Sequence, residues 1–258
     1  MRNLHKAYYK DYFKDLQFAY LLNDGEGPKN EIKNRNEELT SPNLLQRIPK
    51  NSLVNQAFEL QIAYPGLVTG VGINHEAKIE GEFKLGVHFD WTHGMPVVYG
   101  SSVKGVLRSA FICKQKQGKI IEYEDYFLKE VTNREWNQEE IKTLFDAIFE
   151  GKDEKGNNLS IYNRDIFFDA VIVKPDTNGR ILCSDSITPH GDNPLKNPIP
   201  ITFLKIAPGC KMEFRFKLED SIVNGKLLRK EDKIKLFKEI LTTVGIGAKT
   251  NVGYGQLK

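Results

Sequence analysis

The sequence predicts an α+β fold on the ferredoxin-like βαββαβ plan, enlarged by helical and loop insertions. Three observations predict this class. Strand and helix patterns follow one another as strand, helix, strand, strand, helix, strand once insertions are set aside. Apolar and charged side chains alternate strictly over Lys211–Leu218, as on a half-buried strand. The length of 258 residues suits a single enlarged domain, and we find no internal repeat.

Residues 1–43 are predicted to form an N-terminal helix followed by a flexible connector. Aromatic residues and leucines recur at helical spacing over Ala7–Leu22, with charged residues between them. Core packing is the expected role of this aromatic stripe, and a subunit contact and base stacking are the alternatives. Asn23–Asn43 is rich in Asn, Glu, Lys, Gly and Pro, which is typical of a connector. We therefore expect one enlarged domain over 44–258.

The first half of this domain carries three apolar segments and a helix. Alternation over Phe58–Tyr64 predicts the first strand, Glu82–Trp91 has a poorer strand pattern, and Met95–Tyr99 is a short apolar run. A helical pattern follows from Ser102 to about Lys116.

The second half continues with further helices and strands. Glu135–Glu150 is predicted to be a helix from its apolar face, and Ile166–Val173 a buried strand. The stretch Asp176–Gly209 carries Pro, Gly and Asn with two short apolar runs, which is typical of a long loop region. Arg229–Val244 is predicted to be a helix, and Tyr254–Lys258 a short final strand after a glycine-rich loop.

Composition limits the class of protein without assigning a function. The net charge of +3 and the pI near 8.5 are too mild to indicate nucleic-acid binding, so basic charge must be concentrated locally if RNA is bound. No segment approaches the ~20 apolar residues that span a bilayer, and no signal peptide is evident, so we expect a cytoplasmic protein without a membrane partner. The cysteines are odd in number and far apart, which predicts neither disulfides nor a zinc ribbon: Cys113, Cys183 and Cys210.

A first candidate binding motif lies where an apolar run enters a helix. Ser101 or Ser102 is predicted to be the N-cap, and the free N–H groups of the first turn favour an anion. Lys104 and Arg108 share one helix face and are candidates to hold adjacent phosphates. Gly105 is expected to let another backbone approach closely. The alternative is a capped helix with two solvated cations.

A second candidate motif is the glycine-rich loop that follows the last helix. Its glycines permit positive φ and close approach to a ligand: Gly245, Gly247, Gly253 and Gly255. Lys249, Thr250 and Asn251, near its centre, offer partners for phosphate or 2′-hydroxyl groups. Tyr254 is expected to be a packed ring, with base stacking as the alternative.

The Lys249-Thr250 pair does not form a nucleotide-binding P-loop. Walker A requires glycines where this chain has Ala248 and Val244, and it joins a strand to a helix, whereas this loop follows a helix. The glycine spacing also departs from the dinucleotide-binding fingerprint.

No metal or catalytic constellation is evident in the sequence. His88, Asp90 and His93 are close together but lack a third ligand at a recognised spacing, so structural roles are expected. His190 stands in a long loop and is the one histidine to watch as a general base, although no partner is evident. We therefore expect no cofactor, no metal and no catalytic residue.

The two motifs, in this order, resemble the RAMP superfamily of CRISPR proteins. That family pairs a Gly-Ser-Ser-x-Lys-Gly-x-x-Arg helix start with a C-terminal glycine-rich loop. Several segments resemble the family of sixth subunits of the type III-B Cmr effector complex: Gly86–Arg108, Phe167–Ala170, Asp185–His190, Ile199–Leu204 and Gly245–Gly255. One departure is Val98-Tyr99 before the helix, where the family commonly has Ile-Pro.

The resemblance implies a ferredoxin/RRM-like RAMP domain with a non-catalytic structural role in antiviral defence. Expected partners are the guide RNA (crRNA), above all its 3′ part, target RNA and other Cmr subunits, especially the backbone RAMP subunits of this ribonucleoprotein. Two alternatives stay open: a metal-independent guide-processing endoribonuclease with His190 as base, and a backbone RNA-cutting subunit that uses Asp165, Asp169 or Asp185. On the leading hypothesis, both motifs converge on one RNA-facing surface.

Overall fold

Helices and strands alternate along the described part of the chain. The computed structural model describes residues 3–15, 26–43, 45, 48, 51–69, 71–72, 79–124, 126–188 and 200–258. The α-helices are α1 (Leu4–Lys6), α2 (Glu26–Thr40), α3 (Gly100–Ser109), α4 (Tyr126–Thr132), α5 (Gln138–Phe145) and α6 (Lys230–Val244). Single π-helical turns extend α1 through Ala7–Asp11 and α5 through Asp146–Glu150. None of the helices in these ranges has the length and apolarity needed to cross a membrane.

The strands of the described residues form two larger sheets and two hairpins. They are β1 (Gln56–Gln61), β2 (Val71–Gly72), β3 (Leu85–Gly86), β4 (Val97–Val98), β5 (Ile112–Lys116), β6 (Lys119–Tyr123), β7 (Ile166–Phe167), β8 (Ala170–Lys174), β9 (Leu182–Ile187), β10 (Ile201–Ile206), β11 (Lys211–Lys217), β12 (Ser221–Val223) and β13 (Lys226–Leu228). The first sheet has the order β1-β11-β8-β4, with β7 also on β11, and the second has the order β2-β3-β10-β9. Among these pairs only β3 with β10 is parallel. The predicted α+β class is confirmed.

The register of β1 and β11 defines the two ends of the first sheet. Gln56 lies opposite Phe216 at one end, called here the Phe216 end. Gln61 lies opposite Lys211 at the other, called here the Lys211 end. Beyond this second end Leu257 forms an antiparallel bridge beside β1, so the last residues of the chain border the sheet.

Every second side chain of β11 is buried in the core, because successive residues of a strand point to opposite faces of the sheet. Phe214 and Phe216 are fully buried, and the ring of Phe216 packs against Phe237 of α6 at 5.3 Å. The strand predicted over Lys211–Leu218 and the helix predicted over Arg229–Val244 are both confirmed to within one residue.

Helix α3 is shorter than the sequence pattern indicates. It ends at Ser109, and the next residues form a hairpin of β5 and β6. Gln117 and Gly118, between these strands, have φ of 50° and 75°, the conformation that a two-residue hairpin turn requires. The prediction of a helix to about Lys116 was wrong because this turn favours strand pairing over further helical turns.

The stretch predicted to be a long loop region contains a strand pair. Strands β9 and β10 align antiparallel from Leu182 opposite Ile206 to Ile187 opposite Ile201. The two short apolar runs of this stretch therefore form strands, because pairing satisfies their backbone groups within the core. The residues between them, 189–199, lie outside the described residues.

The predicted flexible connector was wrong over most of its length, because Glu26–Thr40 forms α2. Ile32 and Leu39, seven residues apart, lie on the same side of the helix and are fully buried. Arg35 donates to the backbone oxygens of Asp11 and Tyr12 at 2.9 and 2.6 Å, which attaches α2 to the first helix.

The N-terminal helix covers Leu4–Asp11 rather than the predicted Ala7–Leu22, whose residues 16–22 lie outside the described ranges. Of the described residues of the aromatic stripe, Tyr12 is buried in the same hydrophobic core as the body of the chain and Phe13 packs against that core, as expected, whereas Tyr9 is exposed. The division of the chain at residue 44 stays a prediction.

Candidate nucleic-acid interface

The first motif forms the start of α3, but its serines do not cap the helix. Tyr99 is the N-cap residue and makes no side-chain cap bond. Instead Asp169 accepts a hydrogen bond from the Gly100 N–H at 2.7 Å. A Cβ at Gly100 would lie 2.2 Å from the backbone oxygen of Phe167, so only glycine fits there. The predicted serine cap was wrong because an aspartate distant in sequence takes that role, which leaves both serines exposed.

The two cations of α3 have different surroundings. The side-chain amine of Lys104 makes no hydrogen bond or ion pair with any residue that the structure describes, so its charge is available to a ligand. Arg108 pairs with Glu150 at 3.1 Å and lies over the ring of Phe145, 5.1 Å from its centroid. Arg108 is still exposed, but its charge is partly neutralised within the chain. Lys104 is therefore the stronger phosphate candidate.

Gly105 has no packing role inside the chain. A Cβ built there would meet no atom within 4 Å, and the residue is exposed on α3. The expectation of a close approach by another backbone is wrong for the described part of this chain.

The glycine-rich loop is fastened to the segment that follows β1. Gly255 donates to the backbone oxygen of Gly66 at 2.8 Å, and Ala248 donates to that of Val68 at 2.7 Å. Within the loop, Ile246 donates to the Gly255 oxygen at 2.9 Å. These bonds hold the loop in one shape, so its tip is presented on a fixed frame.

The tip of this loop presents the predicted polar residues. Lys249 has a left-handed backbone with φ of 62°, and Thr250–Val252 form a short 3₁₀ turn after it. Asn251 is exposed, whereas Lys249 and Thr250 are half-buried. No ion pair within the described ranges engages the Lys249 amine. The fixed tip therefore offers one cation, a hydroxyl and an amide.

Beneath the loop lies a network that sequence reasoning missed. Asp185 accepts hydrogen bonds from Lys205 and, at 2.8 Å, from the Tyr254 hydroxyl. Burial alone would raise the pKa of Asp185, but the bonds from Lys205 and Tyr254 outweigh it and hold that pKa below its usual value. Burial, and then the bond to the Asp185 carboxylate, raises the pKa of Tyr254 to about 12. Tyr254 is thus a packed ring, as expected, and it anchors the loop.

An exposed aromatic side chain stands next to the loop. Tyr64 is 86% exposed, and its neighbour Ala63 donates to the backbone oxygen of Gln256 at 2.9 Å. Gly253 of the loop approaches the ring of Pro65. Alternation had assigned Tyr64 to a half-buried strand, and no sequence signal distinguishes it as a surface residue.

The two motifs lie at opposite ends of the first sheet. Gly100, just after β4, contacts Phe167, which pairs with β11 at the Phe216 end. The glycine loop instead bonds to Gly66, just beyond β1 at the Lys211 end. No hydrogen bond or ion pair in the described residues joins either α3 cation to the loop. The expected convergence was wrong for the helix start, because β4 runs antiparallel to β8 and enters α3 at the far end.

The histidines form no metal site in the described residues, where no group of His, Cys, Asp and Glu is suited to hold an ion. His93 pairs with Asp90 at 2.7 Å, and His88 stacks on Tyr99 at 4.6 Å, in agreement with the structural roles expected. His190 lies outside the described residues.

The three candidate aspartates have separate internal partners. Asp165 forms a fully buried ion pair with Lys233 at 2.6 Å. Asp169 accepts the bond at the start of α3, and Asp185 belongs to the network beneath the glycine loop. Each carboxylate therefore has a structural role in this chain.

Comparison with known proteins identifies one family and a set of similar structures. Residues 59–258 match the RAMP superfamily, and no curated protein matches the chain. One similar chain belongs to the cryo-EM structure of the type III-B Cmr-beta complex bound to cognate target RNA. It is 21% identical, with a TM-score of 0.48, and the match covers 78% of this chain but only 57% of that one. Another, Cmr6 from Pyrococcus furiosus, is 19% identical over 78% of this chain and 96% of that one, with a TM-score of 0.43. Because the family match includes both motifs and most of the sequence, this chain belongs to the RAMP superfamily.

Proposed function

We propose that this chain is a non-catalytic, RNA-binding subunit of a type III-B CRISPR (Cmr) effector complex, in contact with the 3′ part of the guide RNA. The observation that carries the proposal is the glycine loop, whose bonded frame presents Thr250, Asn251 and a Lys249 that has no ion-pair partner among the described residues. Membership of the RAMP superfamily supports the same role.

The first sheet is proposed to be the ferredoxin-like core of this RAMP domain. Its order, starting from Leu257 and continuing through β1, β11 and β8, is the antiparallel order of the βαββαβ plan. Helices α3 and α6 stand between the strands at the positions of the two helices of that plan. Strand β4 and the second sheet are insertions in it.

Binding is proposed to involve two phosphate contacts at a distance from each other. Lys249 lies near the Lys211 end of the first sheet, and Lys104 lies on the helix that begins at the Phe216 end, with strands of about 20 Å between the ends. A single RNA strand that follows the sheet would reach both. Base pairing between guide and target recognises the RNA sequence, so the contacts of this protein should not depend on that sequence.

We expect the Lys104→Ala, Lys249→Ala double variant to bind guide RNA more weakly in the assembled complex, with a lower salt dependence. The slope of log affinity against log salt falls by roughly 1.4, since each phosphate contact to a single strand contributes about 0.7. Filter binding over a salt series measures this slope. Lys142→Ala is the matched control, because Lys142 is paired with Asp146 at 2.9 Å. An unchanged slope in the double variant rules out this RNA surface.

If the chain has no catalytic role, RNA cleavage should not depend on its aspartates or on His190. Asp169→Asn and Asp185→Asn keep an acceptor oxygen for the Gly100 N–H and the Tyr254 hydroxyl, although Asp185→Asn removes the counter-charge of Lys205, so folding of each variant is checked by thermal unfolding. Complexes with these variants should cleave target RNA in magnesium at the wild-type rate. The purified chain, with or without His190→Ala, should leave repeat RNA intact in EDTA. Loss of cleavage in either aspartate variant, or His190-dependent cutting in EDTA, would identify an enzyme.

A further inference from the structure

Trp91 is displayed on a turn whose backbone is fixed. Its side chain is 80% exposed. Asp90 Oδ1 accepts hydrogen bonds from the N–H groups of Thr92 and His93 at 2.8 and 2.6 Å, and Gly94 donates to the Asp90 backbone oxygen at 2.9 Å. These bonds fix the backbone from which the indole projects, so that an apolar ring is presented to solvent at a defined place.

This indole is the end of a strip of rings, which we call the aromatic strip: Trp91, His5, Tyr9, Tyr99 and His88. The His5 ring lies 4.6 Å from Trp91 and 4.9 Å from Tyr9. Tyr9 also packs edge-on against Phe89, with ring centroids 6.0 Å apart, and Phe89 directly follows His88 in the chain. Tyr99 in turn stacks on His88 at 4.6 Å. The strip thus leads from Trp91 to the first residue of α3.

The N-terminal helix contributes rings and a lysine to this surface, whereas its Asp11 pairs with Lys6 at 3.7 Å. Leu4 and Ala7 are buried in the core, whereas Tyr9 is 48% exposed. Lys10 is exposed and makes no hydrogen bond or ion pair in the described ranges. The backbone N–H of His5 donates a hydrogen bond to the Gly94 oxygen at 3.2 Å, which attaches this helix to the Trp91 turn.

We infer that the aromatic strip is a stacking platform for unpaired nucleobases of a single-stranded RNA segment. Flat rings on a fixed backbone stack on bases of any sequence, and lysines beside them attract the phosphates. The strip ends at Gly100, where α3 presents its exposed serines and, one turn later, Lys104, whose amine has no partner in the described part of the chain. Bases on the rings and phosphates at the helix are the arrangement of a single-strand binding groove.

The inference rests on the proposed function, which supplies RNA as the ligand, but it concerns a different surface of the chain. The strip lies at the start of α3, whereas the glycine loop lies near the other end of the first sheet. The two rings of the N-terminal helix, His5 and Tyr9, precede residue 59, where the family match begins. A protein partner is the competing occupant. The exposed lysine and the absence of exposed aliphatic side chains on the described turns of this helix favour RNA.

Ultraviolet crosslinking of the assembled ribonucleoprotein, followed by peptide mapping, tests the platform. We expect RNA adducts on peptides that contain Trp91 or Tyr9, because stacked rings crosslink to bases at contact distance. Adducts on the glycine loop without any on the strip would overturn this inference and leave the proposed function intact. Absence of adducts from both would overturn the two together.

The chain has two tryptophans, and Trp136 is buried, so the emission of Trp91 can be isolated in a Trp136→Phe background. Oligouridylate should quench this emission, and duplex RNA of equal length should not. Trp91→Ala should weaken oligouridylate binding ~5- to 150-fold, as expected for the loss of one stacked base, and Trp91→Phe should retain part of it.

Two controls separate stacking from other effects. Tyr162→Ala removes an aromatic ring of similar exposure outside the strip and should leave RNA binding unchanged. Lys249→Ala should weaken binding but leave the quench of Trp91 at saturation unaltered. If Trp91→Ala leaves RNA affinity intact and instead releases a neighbouring subunit from the complex, the strip is a protein interface and the inference is wrong.

Discussion

Replacement of Lys233 by methionine should lower the free energy of unfolding by about 3–5 kcal/mol, the cost of leaving a buried charge without its partner. Lys233 and Asp165 are 1% and 2% exposed and lie 2.6 Å apart, and Asp165 also accepts the N–H of Glu219. Urea unfolding of the wild type and the variant at neutral pH measures the difference. A loss below ~1 kcal/mol would show that water reaches the pair.

The loss in free energy of unfolding caused by Lys233→Met, called here the deficit, should become smaller as the pH falls. Burial raises the pKa of Asp165 even with Lys233 beside it, and removal of the lysine raises it further. The folded variant then binds a proton more readily than the unfolded chain, so its stability decreases as the pH rises above the unfolded pKa of about 3.9. Unfolding at pH 5 and pH 8 should therefore show a larger deficit at pH 8.

Two controls define the origin of this effect. Lys142→Ala breaks an exposed pair with Asp146 and should cost less than ~1 kcal/mol. The double variant Lys233→Met, Asp165→Leu should recover part of the loss, because an apolar pair avoids the burial of both charges. The remainder reflects the Glu219 N–H, which loses its acceptor in this variant.

Replacement of Gly255 by alanine should dismantle the glycine loop and abolish its RNA contact. The added Cβ would lie 1.8 Å from the backbone oxygen of Ile246, and the φ of 71° disfavours any side chain. The bond from the Gly255 N–H to Gly66 is lost when the backbone moves away from this clash. We expect at least ~2 kcal/mol of destabilisation, from left-handed strain together with the clash.

Glycines elsewhere in the two motifs supply matched controls. Gly253→Ala keeps the left-handed strain but meets nothing closer than 3.7 Å, so its loss should be smaller. Gly105→Ala should raise the free energy of unfolding by roughly 0.5–1 kcal/mol, because this helical position has space for a methyl group. Thermal unfolding and guide RNA binding of all three variants separate loop structure from general stability. Full RNA affinity in a folded Gly255→Ala protein would show that the loop shape is irrelevant to binding.

The aromatic strip shows how far sequence reasoning extends at a surface. The sequence predicted a helix with an aromatic stripe, and Tyr12 of that stripe is buried as expected, whereas Tyr9 is exposed. It contained no signal that Trp91, on a turn about eighty residues away in the chain, would meet His5 of that helix. Such a contact depends on the path of the chain between the two segments, which local periodicity does not specify.

The sequence by itself determined the α+β class, the central strand over Lys211–Leu218, the helix of Arg229–Val244 and the family, because periodic burial and glycine spacing are local properties of a chain. The tertiary structure alone decided what those segments meet. It paired Asp169 with the start of α3 and Asp185 with Tyr254, and it placed the two glycine motifs at opposite ends of one sheet. These contacts join residues that are far apart in the sequence. They are set by strand order and register, which follow from the packing of the whole core.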